Sequence, residues 1–196
     1  MLFFSLKNLA QDTIVKSNPV LYGEMIFGFG GNFNDYGGFI YGGNVNYQVK
    51  KNLFTIRYNV HPEFNYGAAS IAAVGLPVIQ SRFTNTEVGL LYGRRYSVRG
   101  RSLSFAGGIS TNEYETQYKT EDSGTTSYSS HVGFAYELNI KWFKPKKERY
   151  RIYAIFPVGK PVAFGRSFGF KMIGNVSQHS YLGFGMTYGF GWHKAY

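Results

Sequence analysis

The sequence predicts an all-β fold, namely an antiparallel up-and-down transmembrane β-barrel of eight strands. Large apolar residues alternate with small or polar ones through most of the 196 residues, whereas helical periodicity is almost absent. Aromatic residues make up 19% of the chain and charged residues 16%, a composition that excludes a disordered protein. Because no run of about 18 apolar residues occurs, a transmembrane helix is not expected.

The first residues, MLFFSLKNLAQ, resemble the end of a secretory signal peptide. Residues 2–6 are largely apolar, and residues 9–11 have the small-residue character of a cleavage region. We therefore expect residues 1–11 to be a residual signal peptide, with the true translation start further upstream, and residues 12–196 to form the barrel domain. The alternative is the frayed N-terminus of a cytosolic protein.

Eight segments show the alternation that predicts strands. In residues 127–142, for example, Val132, Phe134 and Tyr136 alternate with His131, Gly133 and Ala135. The predicted strands lie near residues 20–31, 38–50, 53–62, 83–93, 102–111, 127–142, 149–157 and 179–192.

The residue types that alternate with the large apolar residues, on the second face of each strand, distinguish a membrane barrel from a soluble one. A soluble sandwich would show Lys, Glu, Thr and Arg on the face opposite its core. Here that face is dominated by Gly, Ala, Ser and Asn, which suit a crowded barrel interior, so the large apolar residues should face lipid. Aromatic residues cluster at the strand ends, as in interfacial girdles. The alternative is a soluble lipocalin-like barrel.

Residues 162–172 also alternate and do not fit the count of eight. They follow the breaker Pro157-Val158-Gly159-Lys160-Pro161 and lie within a predicted external connection, residues 158–178. They predict either a hairpin projecting above the membrane or a ten-stranded barrel with a partner strand near residues 12–17. Arg166 on the lipid-side face favours the projecting hairpin, since an Arg at the midplane costs about 2–4 kcal/mol.

An even number of strands places both termini in the periplasm. The predicted turns on that side carry much of the net charge of +10, forming a basic rim that can meet lipid phosphates. This basic rim consists of Lys50, Lys51, Arg94, Arg95, Arg99, Arg101, Lys144, Lys146, Lys147 and Arg149. Outer-membrane lipids and lipopolysaccharide are the expected partners. Nucleic acid is not expected, because the aromatic residues are committed to lipid.

Charged residues of alternating sign are predicted to point into the barrel. They are Glu24, Arg57, His61, Glu87, His131, Glu137 and Lys141. Such a set forms either a charged pore or a paired polar network. The network is favoured, because about eight strands leave room only for side chains and a buried charge must be paired.

The chain resembles the small eight-stranded outer-membrane barrels of the OmpX/OmpA-transmembrane type. The Gly- and Tyr-rich strands and the Leu-Ala-Gln leader are most similar to members from Bacteroidota, and the pattern covers residues 20–196. The final strand and terminal Tyr196 resemble the C-terminal signal read by the barrel-assembly machinery. The resemblance implies an outer-membrane location but no single function, since the family includes adhesion-related, structural, secretion-linked and enzymatic members.

An enzymatic role is not expected. Some barrels of this size deacylate lipid A with a His-x-Ser pair and a downstream Glu, whereas this chain has Ser129-x-His131 in reversed order and an adjacent His179-Ser180. The last acidic residue is Glu148, so no carboxylate follows His179. Without cysteines, and with widely spaced histidines, the sequence predicts no catalytic residue, no metal site and no cofactor.

The expected function is therefore that of a non-enzymatic outer-membrane barrel. It would act as a structural or accessory subunit that docks with a larger secretion or barrel-assembly complex, or that presents extracellular loops. The apolar segment at residues 68–79 would lie in such a loop, tucked over the barrel mouth or docked on a partner. The alternatives are a deacylase-like enzyme that modifies lipid A and a small-solute pore.

Overall fold

The computed structural model describes residues 20–32, 36–65, 83–119, 124–144, 148–152, 155–162 and 164–192. The expected signal peptide, the alternative partner strand at residues 12–17 and the apolar segment at residues 68–79 lie outside the described residues. No helix in the described part of the chain is long and apolar enough to cross a membrane.

Ten strands account for nearly all of the described residues, and eight of them close into a barrel. The barrel order is β1-β10-β9-β6-β5-β4-β3-β2, and β7 and β8 form a separate two-stranded sheet. The strands are β1 (Val20–Asn32), β2 (Tyr36–Val49), β3 (Asn52–Asn65), β4 (Phe83–Val98), β5 (Arg101–Lys119), β6 (Gly124–Phe143), β7 (Glu148–Ile152), β8 (Phe156–Val162), β9 (Gly165–Val176) and β10 (Tyr181–Trp192).

The first and last strands close the ring. β1 pairs antiparallel with β10 from Leu21↔Trp192 to Asn32↔Tyr181, so the described ends of the barrel chain lie at the same end of the barrel. We call this the terminal end and the opposite one the mouth. The predicted all-β barrel of eight antiparallel strands is confirmed.

The identity of the seventh barrel strand differs from the prediction. The described residues of the predicted strand 149–157, namely 149–152 and 155–157, lie outside the barrel in the hairpin of β7 and β8, whereas β9 pairs with both β6 and β10. The ambiguous segment is therefore a wall strand and not a projecting hairpin, and residues 158–178 are not a single external connection. The argument from Arg166 was wrong because this residue is the second of β9, at the terminal end, where an outward cation does not meet the midplane.

The alternation places large apolar side chains on the outside of the barrel. Along β10, exposed and buried residues alternate from Tyr181 to Trp192 without interruption. Met25, Ile109 and Phe184 are about 60% exposed or more, and large exposed apolar residues occur on all eight barrel strands. This arrangement is inverted relative to a water-soluble protein and is typical of a transmembrane barrel.

The two ends of the barrel differ in their connections. At the terminal end, β2–β3 and β4–β5 are joined by the two-residue turns Lys50-Lys51 and Arg99-Gly100, in which Lys50, Arg99 and Gly100 have positive φ. At the mouth, β5 and β6 extend furthest among the described strands, and they are the two longest, with 19 and 20 residues. β6 pairs with β9 only from Phe134 to Phe143, so residues 124–133 extend past the end of β9.

Glycines on the inner face allow neighbouring strands to curve tightly around the lumen. A Cβ on Gly108 would lie against the carbonyl oxygen of Leu90, closer than a non-bonded contact permits. A Cβ on the outward Gly23 would lie 3.7 Å from the Phe190 ring, which is an ordinary contact. Alanine is therefore accommodated at position 23 and resisted at position 108.

We expect Gly108→Ala to lower the free energy of unfolding by about 1–3 kcal/mol, because β4 and β5 must separate to admit the methyl group. Gly23→Ala is the matched control and should change it by no more than about 0.5 kcal/mol. Urea unfolding of the two variants in lipid vesicles measures the difference. Equal effects would contradict the steric account of the inner face.

Candidate functional site

The lumen holds a balanced set of charges. Among the described residues, four carboxylates and four basic side chains are buried: Glu24, Glu63, Glu87 and Glu137, with Arg57, Arg95, Lys141 and Lys171. Because these charges cancel, the net charge of +10 belongs to the rest of the chain. This pairing fits the expected polar network, since unpaired charges inside a barrel would be costly.

Arg57 crosses the barrel from one wall to the opposite one. Its Nε donates to Glu87 Oε1 at 2.6 Å, and its Nη2 lies 2.5 Å from the same oxygen. The guanidinium also donates to the carbonyl oxygens of Tyr136 on β6 (3.0 Å) and Gly174 on β9 (3.2 Å). Since β9 lies four strands from β3 in either direction, Arg57 obstructs the middle of the lumen.

Glu87 is held by three groups from three other strands. Besides Arg57, it accepts hydrogen bonds on Oε2 from Asn175 Nδ2 and Tyr181 Oη, both at 2.7 Å. Charge-assisted hydrogen bonds of this kind are stronger than neutral ones. Glu87 therefore joins β3, β4, β9 and β10 across the interior.

A second cluster lies between Arg57 and the terminal end. Lys141 and Lys171 both form ion pairs with Glu24, and Lys171 also reaches Glu137 at 3.3 Å. Asn44 Nδ2 donates to Glu24 Oε1 (3.2 Å) and to Glu137 Oε2 (2.9 Å). Glu137 lies 3.9 Å from Arg57 Nη1, so the two clusters form one continuous network.

Arg95 occupies the terminal end of the lumen and not the basic rim predicted for it. Its guanidinium lies over the rings of Tyr22 (5.1 Å) and Phe143 (5.4 Å) and donates to Gln48 at 2.8 Å. The prediction was wrong because Arg94 and Arg95 are consecutive strand residues and must point to opposite faces. Arg94 is exposed on the outside, as expected.

The other rim residues that the structure describes are exposed at the terminal end. They are Lys50, Lys51, Arg99, Arg101, Lys144 and Arg149. Lys146 and Lys147 lie outside the described residues. Arg166 was not assigned to the rim from the sequence and lies there too.

At the mouth, polar and aromatic side chains from several strands meet. Glu63 is buried and accepts hydrogen bonds from Asn32 (2.9 Å) and Tyr114 (3.3 Å), and its other oxygen lies 3.4 Å from His61 Nδ1. The Tyr114 ring stacks on His179 with the centroids 3.8 Å apart. His61 thus belongs to the interior, as predicted, next to the mouth.

His131 was predicted in the interior network but lies above it, half-buried at the mouth. Its ring centroid is 5.5 Å from that of His179, and its Nε2 is 3.1 Å from Ser129 Oγ. Within the described part of the chain, no carboxylate is hydrogen bonded or ion paired to the His131 ring. No carboxylate of the described residues therefore stands where the orienting acid of a hydrolytic triad would be.

Lys171, Glu63 and Tyr181 are parts of the lumen that sequence reasoning missed. Lys171 was overlooked because its segment was interpreted as a projecting hairpin, although its alternation already placed Lys171 opposite Phe170 and Met172. Glu63 lies beyond the predicted end of its strand at residue 62. Tyr181 is aromatic and was assigned no interior role, yet its hydroxyl donates to Glu87.

Among the described residues, no group of three or more His, Asp or Glu is placed to hold a metal ion. The chemical role of the interior follows from the partners with which its charged side chains are paired. The hydrogen bonds of Arg57 link opposite walls, so this side chain lies across the lumen, where a small-solute pore would need a continuous path.

Comparison with known proteins supports the fold alone. No family model matches the chain, and no curated protein matches it. Among solved structures, neisserial surface protein A is similar with a TM-score of 0.51 and 11% identity, covering 88% of this chain and 96% of that one. The N-terminal β-barrel domain of Pseudomonas aeruginosa OprF gives a TM-score of 0.49 at 11% identity, covering 89% of this chain and 99% of that domain. The chain is thus similar in fold to a small bacterial surface barrel.

Removing Arg57 should destabilise the barrel strongly. Arg57→Met leaves Glu87 and Glu137 without this cation, and breaking a buried pair from one side costs about 3–5 kcal/mol. Urea unfolding in vesicles measures the loss, and Glu87→Gln in the same chain should restore part of it. Arg94→Met, on the exposed face, should cost no more than about 0.5 kcal/mol. Similar losses for Arg57→Met and Arg94→Met would contradict the bracing role.

The histidines at the mouth make the stability of the protein depend on pH. Partial burial, and secondly the charge of His131, lower the pKa of His179 below its ordinary value of 6.5. The unfolded chain therefore binds the proton first, so stability falls as the pH drops from about 6.5 towards the lowered pKa, and levels off below it.

We expect NMR titration of His179 to give a pKa below 6.5, and His131→Gln to raise it without restoring the full value, because burial remains. Ser130→Ala, which alters an exposed neighbour on the opposite face of β6, is the control and should leave the His179 titration unchanged. A His179 pKa that does not respond to His131→Gln would contradict the coupling of the two rings.

Proposed function

We propose that the protein is a non-enzymatic integral β-barrel of a bacterial outer membrane. The observation that carries this proposal is the distribution of side chains around a closed ring. Large apolar residues cover the outside of all eight barrel strands, while the buried charges face the lumen. A closed barrel leaves no backbone hydrogen-bonding group unpaired at a sheet edge, which is what a lipid environment requires.

The proposed orientation has both termini in the periplasm. Two connections at the terminal end are two-residue turns, and short turns are typical of the periplasmic side of such barrels. The exposed basic residues at this end would meet the phosphates of the adjacent lipid leaflet. The longer β5–β6 hairpin would then project outwards, towards lipopolysaccharide and the cell exterior.

We assign the protein a structural or accessory role, in which it docks with a larger secretion or barrel-assembly complex. The β7–β8 hairpin supports this role because it lies outside the barrel at the terminal end and exposes apolar side chains. Ile155 is 68% exposed and Phe156 is 64% exposed, and Val158 is also exposed. Apolar residues clustered outside the lipid-facing wall are typical of a protein–protein contact.

The alternatives have less support. A small-solute pore conflicts with Arg57, which joins opposite walls at the centre of the lumen. Within the described residues, the support for a deacylase-like enzyme is the hydrogen bond between Ser129 and His131, and these residues lie at the mouth and not on the outer wall.

The docking role is tested by affinity purification of the tagged protein from a mild-detergent extract of its native outer membrane. We expect a large barrel or lipoprotein to co-purify in stoichiometric amount. The double variant Ile155→Ser/Phe156→Ser should lose it, because the apolar contact is removed. Val132→Ser, which alters a 79% exposed residue near the opposite end, is the matched control and should retain it.

Recovery of the barrel alone from the wild-type strain would refute the accessory role. In the same strains, the lipid A composition should be unchanged by Ser129→Ala. A shift in the number of acyl chains would instead favour the enzymatic alternative.

A further inference from the structure

A groove of about 430 Å³ lies on the outer wall at the terminal end of the barrel. It follows four neighbouring strands, β5, β6, β9 and β10, together with the β4–β5 turn. Arg99, Arg101, Lys144 and Arg166 contribute four positive charges to its lining, and none of the described residues that line it is Asp or Glu. The groove is therefore suited to an anion.

The floor of the groove is a row of outward side chains paired across the strands. Arg101 pairs with Trp142, Trp142 with Phe168, and Phe168 with Tyr188. Trp and Tyr prefer the level at which the hydrocarbon core meets the lipid headgroups. This row thus marks the height of the membrane interface on the barrel wall.

Arg101 stands in this row, and the other three cations of the groove lie on its aqueous side. Lys144 lies just past the end of β6, two residues after Trp142, and Arg166 precedes Phe168 by two residues on β9, so both are closer to the terminal end. On the other side of the row, Ile140 and Phe170 are cross-strand partners and are exposed. From the terminal end inwards, the wall therefore presents cations, then aromatic rings, then aliphatic and aromatic surface, matching the order of a phospholipid's phosphate, glycerol and acyl chains.

The turn that contributes Arg99 and Arg101 is fixed in place. Phe143 N donates to Gly100 O at 2.7 Å, which ties the β4–β5 turn to the end of β6. Arg99 has φ of +46°, the left-handed conformation that a two-residue hairpin turn of this type requires.

We propose that this groove binds the phosphate group of an anionic phospholipid, whose acyl chains lie along Ile140 and Phe170. The inference rests on the proposed insertion in a membrane. It differs from general attraction to the basic rim, because Lys50 and Lys51 lie at the same end of the barrel but do not line the groove. Their turn joins β2 and β3, on the far side of the ring from β9.

Fluorescence quenching tests the groove in the inserted barrel. In a Trp192→Phe background, Trp142 is the remaining tryptophan and lies in the groove. The barrel is inserted into phosphatidylcholine vesicles that contain a minor fraction of brominated phosphatidylglycerol or, for comparison, brominated phosphatidylcholine. We expect Trp142 to report a local enrichment of the anionic lipid of about fivefold or more, the factor that one basic residue gives at an anionic surface.

Two double variants separate a site from a diffuse charge effect. Arg99→Gln/Arg101→Gln should reduce the enrichment to the phosphatidylcholine level. Lys50→Gln/Lys51→Gln removes the same charge from a tight turn at the same end and should leave the enrichment unchanged. Equal loss in both variants, or no enrichment in the parent, would overturn the proposal.

Two further measurements complete the test. Inorganic phosphate in excess should not abolish the enrichment, and if it does, the groove is a site for free phosphate and not for a lipid. Protease protection of the vesicles reports insertion independently. A barrel that is fully cleaved would overturn the membrane proposal and the groove together, whereas a protected barrel without enrichment would overturn the groove alone.

Discussion

The contact of Arg57 with Glu87 is the interaction on which the interior of this barrel depends. One guanidinium from β3 is bonded to a carboxylate on β4 and to backbone carbonyls of β6 and β9, and that carboxylate is bonded in turn to side chains of β9 and β10. The buried apolar clusters of this ring are small, such as that of Ile26, Ile40 and Ile173, so the polar contacts take much of the place that hydrophobic packing has in a soluble domain. The exact balance of buried charges is what makes this arrangement tolerable in a low-dielectric surrounding.

Much of the fold was predictable because alternate residues along each strand of a closed barrel face the lumen and the outside. The alternation at Glu24, Arg57, Glu87, Glu137 and Lys141 was sufficient to place all five in the lumen. This alternation does not show which of two alternating segments becomes a strand of the barrel. Residues 149–157 alternate as β9 does, and only the pairing partners on β6 and β10 distinguish the two, which is information from distant parts of the chain. The free-energy cost of an outward Arg was wrongly applied to Arg166 for a related reason. That cost depends on the depth of the residue in the membrane, and the depth follows from the strand register.

The candidate site was predictable in composition but not in its partnerships. The sequence indicates that opposite charges share the lumen, and it does not indicate that Lys141 and Lys171 both meet Glu24. Nor does the separation of Tyr114, His131 and His179 along the chain suggest a shared cluster at the mouth, because the β5–β6 hairpin brings the first two together and the β9–β10 turn adds the third. The assignment of Arg95 to the rim was wrong although alternation alone would have placed it inside. Arg57 points inward and pairs with Gly89, and Arg95 lies an even number of residues after Gly89 on β4, so it points inward too.

The chain leaves the barrel between β6 and β9, and this affects how proteins with this fold can diversify in sequence. Phe143 and Ser167 are already cross-strand neighbours, so the wall is complete without the segment that connects β6 to β9. The entropic cost of a longer excursion grows only slowly with its length. This point of the ring therefore acts as a natural insertion site, at which hairpins of different length and chemistry can be exchanged while the strand number, the stagger of the strands and the charge balance of the lumen are inherited unchanged.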